Sequence, residues 1–277
     1  MPREATAETT LTVQGVEVPK LGLGTWLITG RACVDAVRDA LELGYRHIDT
    51  ARAYGNEAQV GRGLAKAPVP REDVFLTTKL WYTDLRARQV RAQVEGSLRA
   101  LDTDYVDLLL IHWPNADVPL AETLGAMVEL REGGRVRHLG VSNFPARVVR
   151  EALEHAPILT DQVEYHPYLG QPALLALARE RDLMLTAYSP LAHGRLLDEP
   201  VLREIGAAHG KTAGQVALRW LLDQPQVAAV PKASSHANRA ANLDVFDFAL
   251  DDAERGAIAA LERGLRTADP AWAPDWD

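Results

Sequence analysis

Short apolar runs alternate with helical patterns along most of the chain. Eight runs have the length of buried strands, at residues 21–25, 45–49, 74–80, 106–112, 136–142, 159–164, 184–188 and 227–230. Between them, apolar residues recur at three- and four-residue intervals, at residues 34–43, 57–66, 86–101, 120–131, 148–155, 172–181 and 215–222. Since no linker or low-complexity segment interrupts the alternation, we predict one domain spanning residues 1–277.

The residues before the first run have a pattern of their own. Residues 11–13 and 16–18 flank Gln14 and Gly15, an arrangement that predicts a small β-hairpin. Residues 1–10 are polar and include Glu4 and Glu8, so we expect a loose tail and not a secretory signal.

Sustained strand–helix alternation predicts a parallel sheet that is covered by helices. An open dinucleotide-binding sheet would carry Gly-x-Gly-x-x-Gly at its first strand–helix turn. Gly22 and Gly24 begin this motif, but Leu27 occupies its third glycine position and Gly30 follows too late. The missing motif and the count of eight strands favour a closed α/β fold, the (β/α)8 TIM barrel, preceded by the N-terminal hairpin.

Four polar residues lie at or just beyond the ends of three successive predicted strands: Asp49, Tyr54, Lys79 and His112. In a barrel these strand ends meet at one face, where catalytic groups collect. A carboxylate beside Lys79 would keep the ammonium charged, and the ammonium would lower the pKa of Tyr54 and make it a better general acid toward a carbonyl oxygen. His112 could donate a hydrogen bond to the same oxygen. Because no side chain supplies a hydride, this set implies a nicotinamide cofactor.

Each of these four residues also has a purely structural interpretation. Asp49 and Lys79 could form an ordinary ion pair. Tyr54 could pack against a helix, and His112 could close a strand. A metal-dependent barrel hydrolase is a further alternative, but it needs several converging ligands, and only Asp49 and His112 qualify. We therefore predict no metal site and favour carbonyl reduction.

Composition narrows the classes of function. A length of 277 residues suits a single barrel of roughly 250 residues. The formal net charge of −8 argues against general nucleic-acid binding, and no apolar stretch approaches the ~18 residues of a membrane span. Cys33 is the only cysteine, which excludes an internal disulfide and favours a reducing compartment. We expect a cytoplasmic monomer whose partner is a small-molecule carbonyl substrate, with no nucleic-acid or membrane partner.

Several ordered motifs resemble those of the aldo-keto reductase superfamily, over nearly the whole chain. They are Gly22-Leu23-Gly24-Thr25-Trp26, Gly44-Tyr45-Arg46-His47-Ile48-Asp49-Thr50-Ala51, Leu110-Ile111-His112-Trp113-Pro114, Gly140-Val141-Ser142-Asn143-Phe144, Gln162-Val163-Glu164-Tyr165-His166-Pro167-Tyr168 and Pro231-Lys232. Those most similar to the bacterial 2,5-diketo-D-gluconate reductase group are Thr103-Asp104-Tyr105-Val106-Asp107 and the ending Ala273-Pro274-Asp275-Trp276-Asp277. The resemblance implies NADPH-dependent reduction of aldehydes or ketones, with Tyr54 as proton donor and His112 orienting the carbonyl. Asp49 and Lys79 would tune Tyr54.

The resemblance also implies which residues bind the cofactor. Those near the nicotinamide are Ser142, Asn143 and Gln162, at its carboxamide, and Tyr188, against its ring. Those along the pyrophosphate are Ser189, Leu191 and Gly194, and those that match at the far phosphate end are Lys232 and Asn242. Independently of the resemblance, Ser234 or Ser235 could donate a hydroxyl to the phosphate, and Arg239 could add a charge. Without the resemblance to this family, we would interpret the loop after Tyr188 as an ordinary strand-to-helix turn.

The chain departs from the family's pattern at the far end of the cofactor. Asn238 stands where an arginine is expected, with Arg239 one position later, and Ala241 replaces a glutamate. Arg239 could bind the phosphate or be a solvated helix residue. NADPH is therefore the expected cofactor, with NADH use left open. Asp161 stands where the family usually has asparagine, and the sequence does not show what this difference changes.

Tryptophans predict the wall of a substrate pocket. Trp26, Trp81 and Trp113 follow strand ends, where rings can enclose a carbonyl compound. Trp272 and Trp276 lie near the C-terminus and could close over the site or dock elsewhere. Small aldehydes, α-dicarbonyls and keto-sugar acids are all open as substrates. A cofactor-sensing or regulatory subunit with vestigial reductase activity is the alternative function, although no interaction tail or coiled-coil heptad favours it.

Overall fold

The computed structural model describes residues 9–277, which form ten strands and ten α-helices. The strands are β1 Thr10–Val13, β2 Val16–Pro19, β3 Leu23–Gly24, β4 His47–Asp49, β5 Phe75–Leu80, β6 Val106–Ile111, β7 Val136–Ser142, β8 Ile158–Glu164, β9 Met184–Tyr188 and β10 Val227–Ala229. The helices are α1 Gly30–Leu43, α2 Glu57–Lys66, α3 Ala87–Leu101, α4 Leu120–Glu132, α5 Ala146–His155, α6 Pro172–Arg181, α7 Pro200–His209, α8 Ala213–Leu222, α9 His236–Leu243 and α10 Asp252–Ala259. Of the tail predicted at residues 1–10, residues 1–8 lie outside the described part, and Thr10 already belongs to β1.

Strands β3 to β10 pair in chain order and in parallel, and the two outermost strands close the ring. The Gly22 amide donates to the Ala229 carbonyl oxygen at 2.9 Å, and the Ala229 amide donates to the Lys20 carbonyl oxygen at 2.8 Å. Gly24 lies so close to β10 that a Cβ atom there would stand 2.5 Å from the Val230 carbonyl oxygen. The predicted (β/α)8 barrel is confirmed, and Gly24 explains part of its closure.

The hairpin of β1 and β2 covers one end of the barrel. Leu11, Val13 and Val18 pack there with inward-facing residues such as Leu108 and Met184. The opposite end, at the carboxyl ends of the strands, is left for polar side chains. Within residues 9–277, no helix has both the length and the apolar character that crossing a lipid bilayer requires.

Most predicted elements agree with the structure to within two residues, but three helices were not predicted. Helices α7, α9 and α10 lack a long apolar stripe, and Ile258 is the buried residue of α10. Their starts depend on caps instead. Ser235 accepts from the Asn238 amide at the start of α9, and Asp251 accepts from the Glu254 amide at the start of α10.

Candidate active site

The four predicted catalytic side chains meet at the carboxyl end of the barrel. Lys79 Nζ lies 2.5 Å from Asp49 Oδ1, 2.9 Å from the Thr50 carbonyl oxygen and 3.4 Å from the Tyr54 hydroxyl. The rings of Tyr54 and His112 meet edge to face with their centroids 5.7 Å apart. Asp49 and Lys79 are almost completely buried. The ammonium therefore bridges the carboxylate and the phenol, as the strand-end positions predicted.

A single turn returns Tyr54 to the mouth of the barrel. The chain leaves β4 after Asp49, makes a 3₁₀ turn at Arg52–Tyr54, and ends that turn at Gly55 with a φ of 64°. Such a positive φ favours glycine. Tyr54 can thus lie beside Lys79, although five residues separate it from Asp49 in the chain.

Asn56, to which the sequence assigned no role, holds this turn in place. Its Nδ2 donates to the carbonyl oxygens of Thr25 and Ile28 at 2.9 and 3.0 Å, and its Oδ1 accepts from the Thr50 hydroxyl at 2.8 Å. The side chain is fully buried, so these bonds satisfy an amide that water cannot reach. Its position directly after Tyr54-Gly55 was the available sequence signal.

Burial dominates the electrostatics of the cluster. It lowers the pKa of Lys79, and the neighbouring Asp49 opposes that shift. Burial, and then the charge on Lys79, hold the pKa of His112 well below its ordinary value. The imidazole is therefore neutral at pH 7 and carries one ring N–H, which can donate to a carbonyl oxygen.

The pKa of Tyr54 is not lowered overall, contrary to the expectation from sequence. Burial, followed by the charge on Asp49, raises the pKa of the Tyr54 phenol well above its ordinary value. The field of the ammonium is opposed by the carboxylate with which it is paired. The phenol therefore keeps its proton at neutral pH. Because its oxygen accepts from Lys79, its O–H is free to donate to a ligand.

The metal-hydrolase alternative concerns the same end of the barrel. Within the described range 9–277, no group of three or more His, Cys, Asp or Glu side chains is placed to hold a metal ion. Asp49 is already engaged by Lys79 and by Gln162 Nε2, at 2.5 and 2.7 Å.

The residues assigned to the nicotinamide form a hydrogen-bonded group beside the cluster. Gln162 joins the two groups through its bond to Asp49. The Ser142 hydroxyl donates to the Gln162 carbonyl oxygen, and the Tyr188 hydroxyl donates to Asn143 Oδ1, both at 2.7 Å. Ser142, Asn143 and Gln162 are buried, whereas half-buried Tyr188 faces the cavity. Amide and hydroxyl groups fixed at the mouth in this way suit a carboxamide.

The loop after β9 is not an ordinary turn. Ser189, Ala192, His193 and Gly194 all have a positive φ, of 47°, 48°, 54° and 88°. Residues other than glycine seldom adopt this conformation, so surrounding contacts must hold it. Ala192 is fully buried and Leu191 packs against the core. The segment assigned to the pyrophosphate therefore has a shape that its own packing holds in place.

Lys232 and Ser234 lie at an exposed helix start. Lys232 Nζ is 3.2 Å from Ser234 Oγ, and α9 begins two residues beyond Ser234 with Ser235 as its cap. An ammonium, hydroxyl groups and a helix N-terminus together suit a phosphate.

Arg239 does not share that surface. It is 5% exposed, its Nε pairs with Asp39 Oδ2 at 2.7 Å, and its Nη1 donates to two backbone carbonyl oxygens. The solvated-helix alternative is wrong, and the geometry does not support the assignment to the phosphate either, because the guanidinium is engaged inside the protein. Asn242 is also buried, and the nearby Tyr45 hydroxyl donates to the Arg239 carbonyl oxygen at 3.1 Å.

A cavity of about 550 Å³ opens above the catalytic cluster. Its wall includes Tyr54 and His112 together with the three predicted tryptophans, Trp26, Trp81 and Trp113. Trp81 meets His112 edge to face, with the ring centroids 5.4 Å apart. A neighbouring cavity of about 540 Å³ is lined by none of the four predicted catalytic residues.

Residues 267–277, which we call the C-terminal strap, cross the mouth of the barrel. Their first four residues form part of the cavity wall. Trp272 stacks on Tyr82 with a centroid distance of 5.2 Å, and Trp276 lies 6.1 Å from Trp113. Neither C-terminal tryptophan is among the residues that line the cavity above the cluster, and Trp272 lines the neighbouring cavity.

Comparisons with known proteins agree with this geometry. Residues 20–263 match the family described as Aldo/keto reductase family. The chain is 41% identical to an aldo-keto reductase of Mycolicibacterium smegmatis, over 91% of this chain and 92% of that one. It is 37% identical to methylglyoxal reductase DkgB of Escherichia coli O157:H7, over 94% and 99% of the two chains. The crystal structure of a candidate 2,5-diketo-D-gluconic acid reductase B superposes with a TM-score of 0.95 at 46% identity, covering 97% of each chain. The chain therefore belongs to the aldo/keto reductase family and is an NAD(P)H-dependent oxidoreductase.

Proposed function

We propose that the protein reduces small aldehydes and ketones to alcohols with NADPH, and that Tyr54 donates the proton. The observation that carries this proposal is the state of the Tyr54 hydroxyl, which accepts from Lys79 at 3.4 Å and keeps its own proton beside a cavity. A bound reduced nicotinamide would supply the hydride.

Each residue of the cluster would have a separate role in the reduction. A carbonyl oxygen between Tyr54 and His112 would accept from both, and the phenol would transfer its proton as negative charge develops on that oxygen. Lys79 would stabilise the resulting phenolate, and Asp49 would keep the ammonium charged in its buried position. Trp81, against His112, would limit access of water.

The preference for NADPH would rest on few groups. Lys232 and Ser234, with the start of α9, would hold the 2′-phosphate. We do not assign Arg239 to it, since Asp39 holds that guanidinium. A site with one exposed ammonium in place of an arginine fork should discriminate modestly, so measurable use of NADH is part of the proposal.

The size of the cavity and the names of the relatives support the substrate classes that we propose. An opening of about 550 Å³ walled by aromatic rings can hold molecules larger than methylglyoxal, the substrate in the name of the Escherichia coli relative. We therefore propose α-dicarbonyls such as methylglyoxal, aromatic aldehydes and keto-sugar acids as candidate substrates.

The substitution Tyr54→Phe tests the proton donor. It leaves the ring in place but removes the O–H, so we expect kcat for methylglyoxal to fall by at least ~100-fold, because positioned acid catalysis contributes that much or more. The Kd of NADPH, from quenching of tryptophan fluorescence, should change less than about twofold. Tyr105→Phe, at the other end of the barrel, is the matched control and should keep wild-type rates. Turnover by Tyr54→Phe at the control's rate would contradict the assignment.

The substitution Lys232→Ala tests the phosphate site. We expect the Kd of NADPH to rise about tenfold, since a charge-assisted bond is lost, while the Kd of NADH stays within about twofold. Lys66→Ala removes an equally exposed ammonium at the end of α2 and should change neither constant. Equal weakening of both cofactors by Lys232→Ala would show that the lysine does not recognise the phosphate.

A further inference from the structure

Glu164, the last residue of β8, has no role in the reaction proposed above, yet it is among the most strongly hydrogen-bonded groups at the mouth. Its carboxylate is completely buried, as is the neighbouring His166. His166 Nε2 lies 2.9 Å from Oε1. Burying an ionised carboxylate is costly unless hydrogen-bond donors surround it, so the donors to Glu164 show what it holds.

The other hydrogen bonds to the Glu164 carboxylate come from the start of the C-terminal strap. The Thr267 amide lies 3.0 Å from Oε1 and 2.9 Å from Oε2, and the Ala268 amide donates to Oε2 at 2.8 Å. The Thr267 hydroxyl donates to Oε1 as well. Burial alone would raise the pKa of Glu164, but the hydrogen bonds from His166, Thr267 and Ala268 lower it to about 2. The anchor is therefore charged at every physiological pH.

The rest of the strap has weaker attachments. Trp276 makes a hydrogen bond to exposed Asp269 at 3.0 Å, and the Arg266 guanidinium lies 3.7 Å from the Trp276 ring. Trp272 packs on the rings of Trp81 and Tyr82, and the Ala146 amide donates to Asp277 Oδ2 at 2.5 Å. The polar contacts at the far end of the strap are exposed to water, whereas Thr267 and Ala268 donate to a completely buried carboxylate. The first two residues are therefore where the strap is held by a buried polar partner.

That position matters because the anchored residues are themselves the wall of the cavity. Thr267 and Ala268 line it directly, and Trp272, a few residues on, packs against Trp81, which contacts the catalytic His112. We propose that Glu164 is a positioning residue for substrate binding: it holds the C-terminal strap as one wall of the carbonyl pocket. This inference rests on the proposed reductase function.

The test is Glu164→Gln, which keeps the shape of the side chain but replaces one acceptor oxygen with a donor and removes the charge. For an aromatic aldehyde such as 4-nitrobenzaldehyde, which is large enough to reach the strap, we expect KM to rise about tenfold or more. We expect kcat and the Kd of NADPH to stay within about threefold, because the catalytic cluster is untouched. Hydrogen exchange followed by mass spectrometry should show at least tenfold faster exchange in a peptide covering residues 265–277.

Glu254→Gln is the matched control. Glu254 also accepts from a histidine and a backbone amide, His209 Nε2 at 2.7 Å and the Asp251 amide at 2.8 Å, but it lies on α10 away from the cavity. It should leave KM and strap exchange unchanged. Should Glu164→Gln fail to fold, Thr267→Val removes only the hydroxyl donor and should shift KM and exchange in the same direction to a smaller degree, with Thr267→Ser restoring both.

Three results would overturn the proposal. Unchanged exchange in the strap would show that Glu164 does not anchor it. Faster exchange with an unchanged KM would show that the strap does not shape the pocket. A wild-type protein that is folded and binds NADPH but reduces no carbonyl would contradict the proposed function itself. Faster exchange in Glu164→Gln would in that case show that Glu164 has a structural role only.

Discussion

Asp49 inside the barrel and Asp161 on the outer side of β8 are each 2% exposed, but their surroundings differ completely. Asp49 accepts from Lys79 and Gln162, at 2.5 and 2.7 Å. Neither oxygen of Asp161 makes a hydrogen bond of normal geometry within the described part of the chain. Burial, only partly offset by the nearby Phe144 amide, raises the pKa of Asp161 well above its ordinary value.

Strand alternation produces this contrast between adjacent residues. Successive side chains of a strand point to opposite faces. Gln162 therefore reaches Asp49 inside the barrel, whereas Asp161 points toward the start of α5, where the carboxylate of Asp277 adds a repulsive charge. A carboxylate can be tolerated at either position, but only Asp49 has a cation beside it. The comparison shows that hydrogen-bond donors and a neighbouring cation, and not burial alone, decide whether a buried carboxylate is stabilised in its charged form.

The largest expected effect comes from removing the cation beside Asp49, which would leave it as unpaired as Asp161. Lys79→Met removes the cation and leaves a buried carboxylate, so we expect the free energy of unfolding to fall by roughly 3–5 kcal/mol, in addition to the loss of turnover. Urea denaturation measures this. Adding Asp49→Asn to Lys79→Met should recover a large part of the lost stability. A loss below about 1 kcal/mol in the single variant would mean that Gln162 alone satisfies Asp49.

A smaller effect of opposite sign is expected from Asp161→Asn. The new side-chain amide keeps an acceptor for the backbone amide of Phe144 and gains a donor toward Asp277. We therefore expect the free energy of unfolding at pH 8 to rise by about 1–3 kcal/mol. Because the folded-state pKa of Asp161 is raised, its penalty is absent below the unfolded pKa near 4 and grows as pH rises toward the folded pKa. The gain should therefore shrink on going from pH 8 to pH 4.5. Urea denaturation at both values checks the sign, and equal gains would contradict a charge-based cause.

A feature could be predicted from sequence when the residues that produce it lie close together along the chain or when their positions at strand ends are known. Strands and amphipathic helices were predictable because hydrophobic periodicity is local. The meeting of Asp49, Tyr54, Lys79 and His112 was predictable because parallel strands all end at one face. The pKa of Tyr54 was predicted with the wrong sign, since the sequence shows that Lys79 is near but not how deeply the phenol is buried or how Asp49 contributes. Helices α9 and α10 were missed because caps, and not apolar stripes, define them.

The sequence alone determined the barrel and the meeting of Asp49, Tyr54, Lys79 and His112 at one end of it, since both follow from local pattern and strand-end position. Tertiary structure decided what long-range partners do. Arg239 is held by Asp39, 200 positions away, and Glu164 by Thr267, 103 positions away. Hydrogen bonds and ion pairs act over a few ångströms in space whatever the separation along the chain. Such pairings therefore exist only once the barrel has brought its ends together.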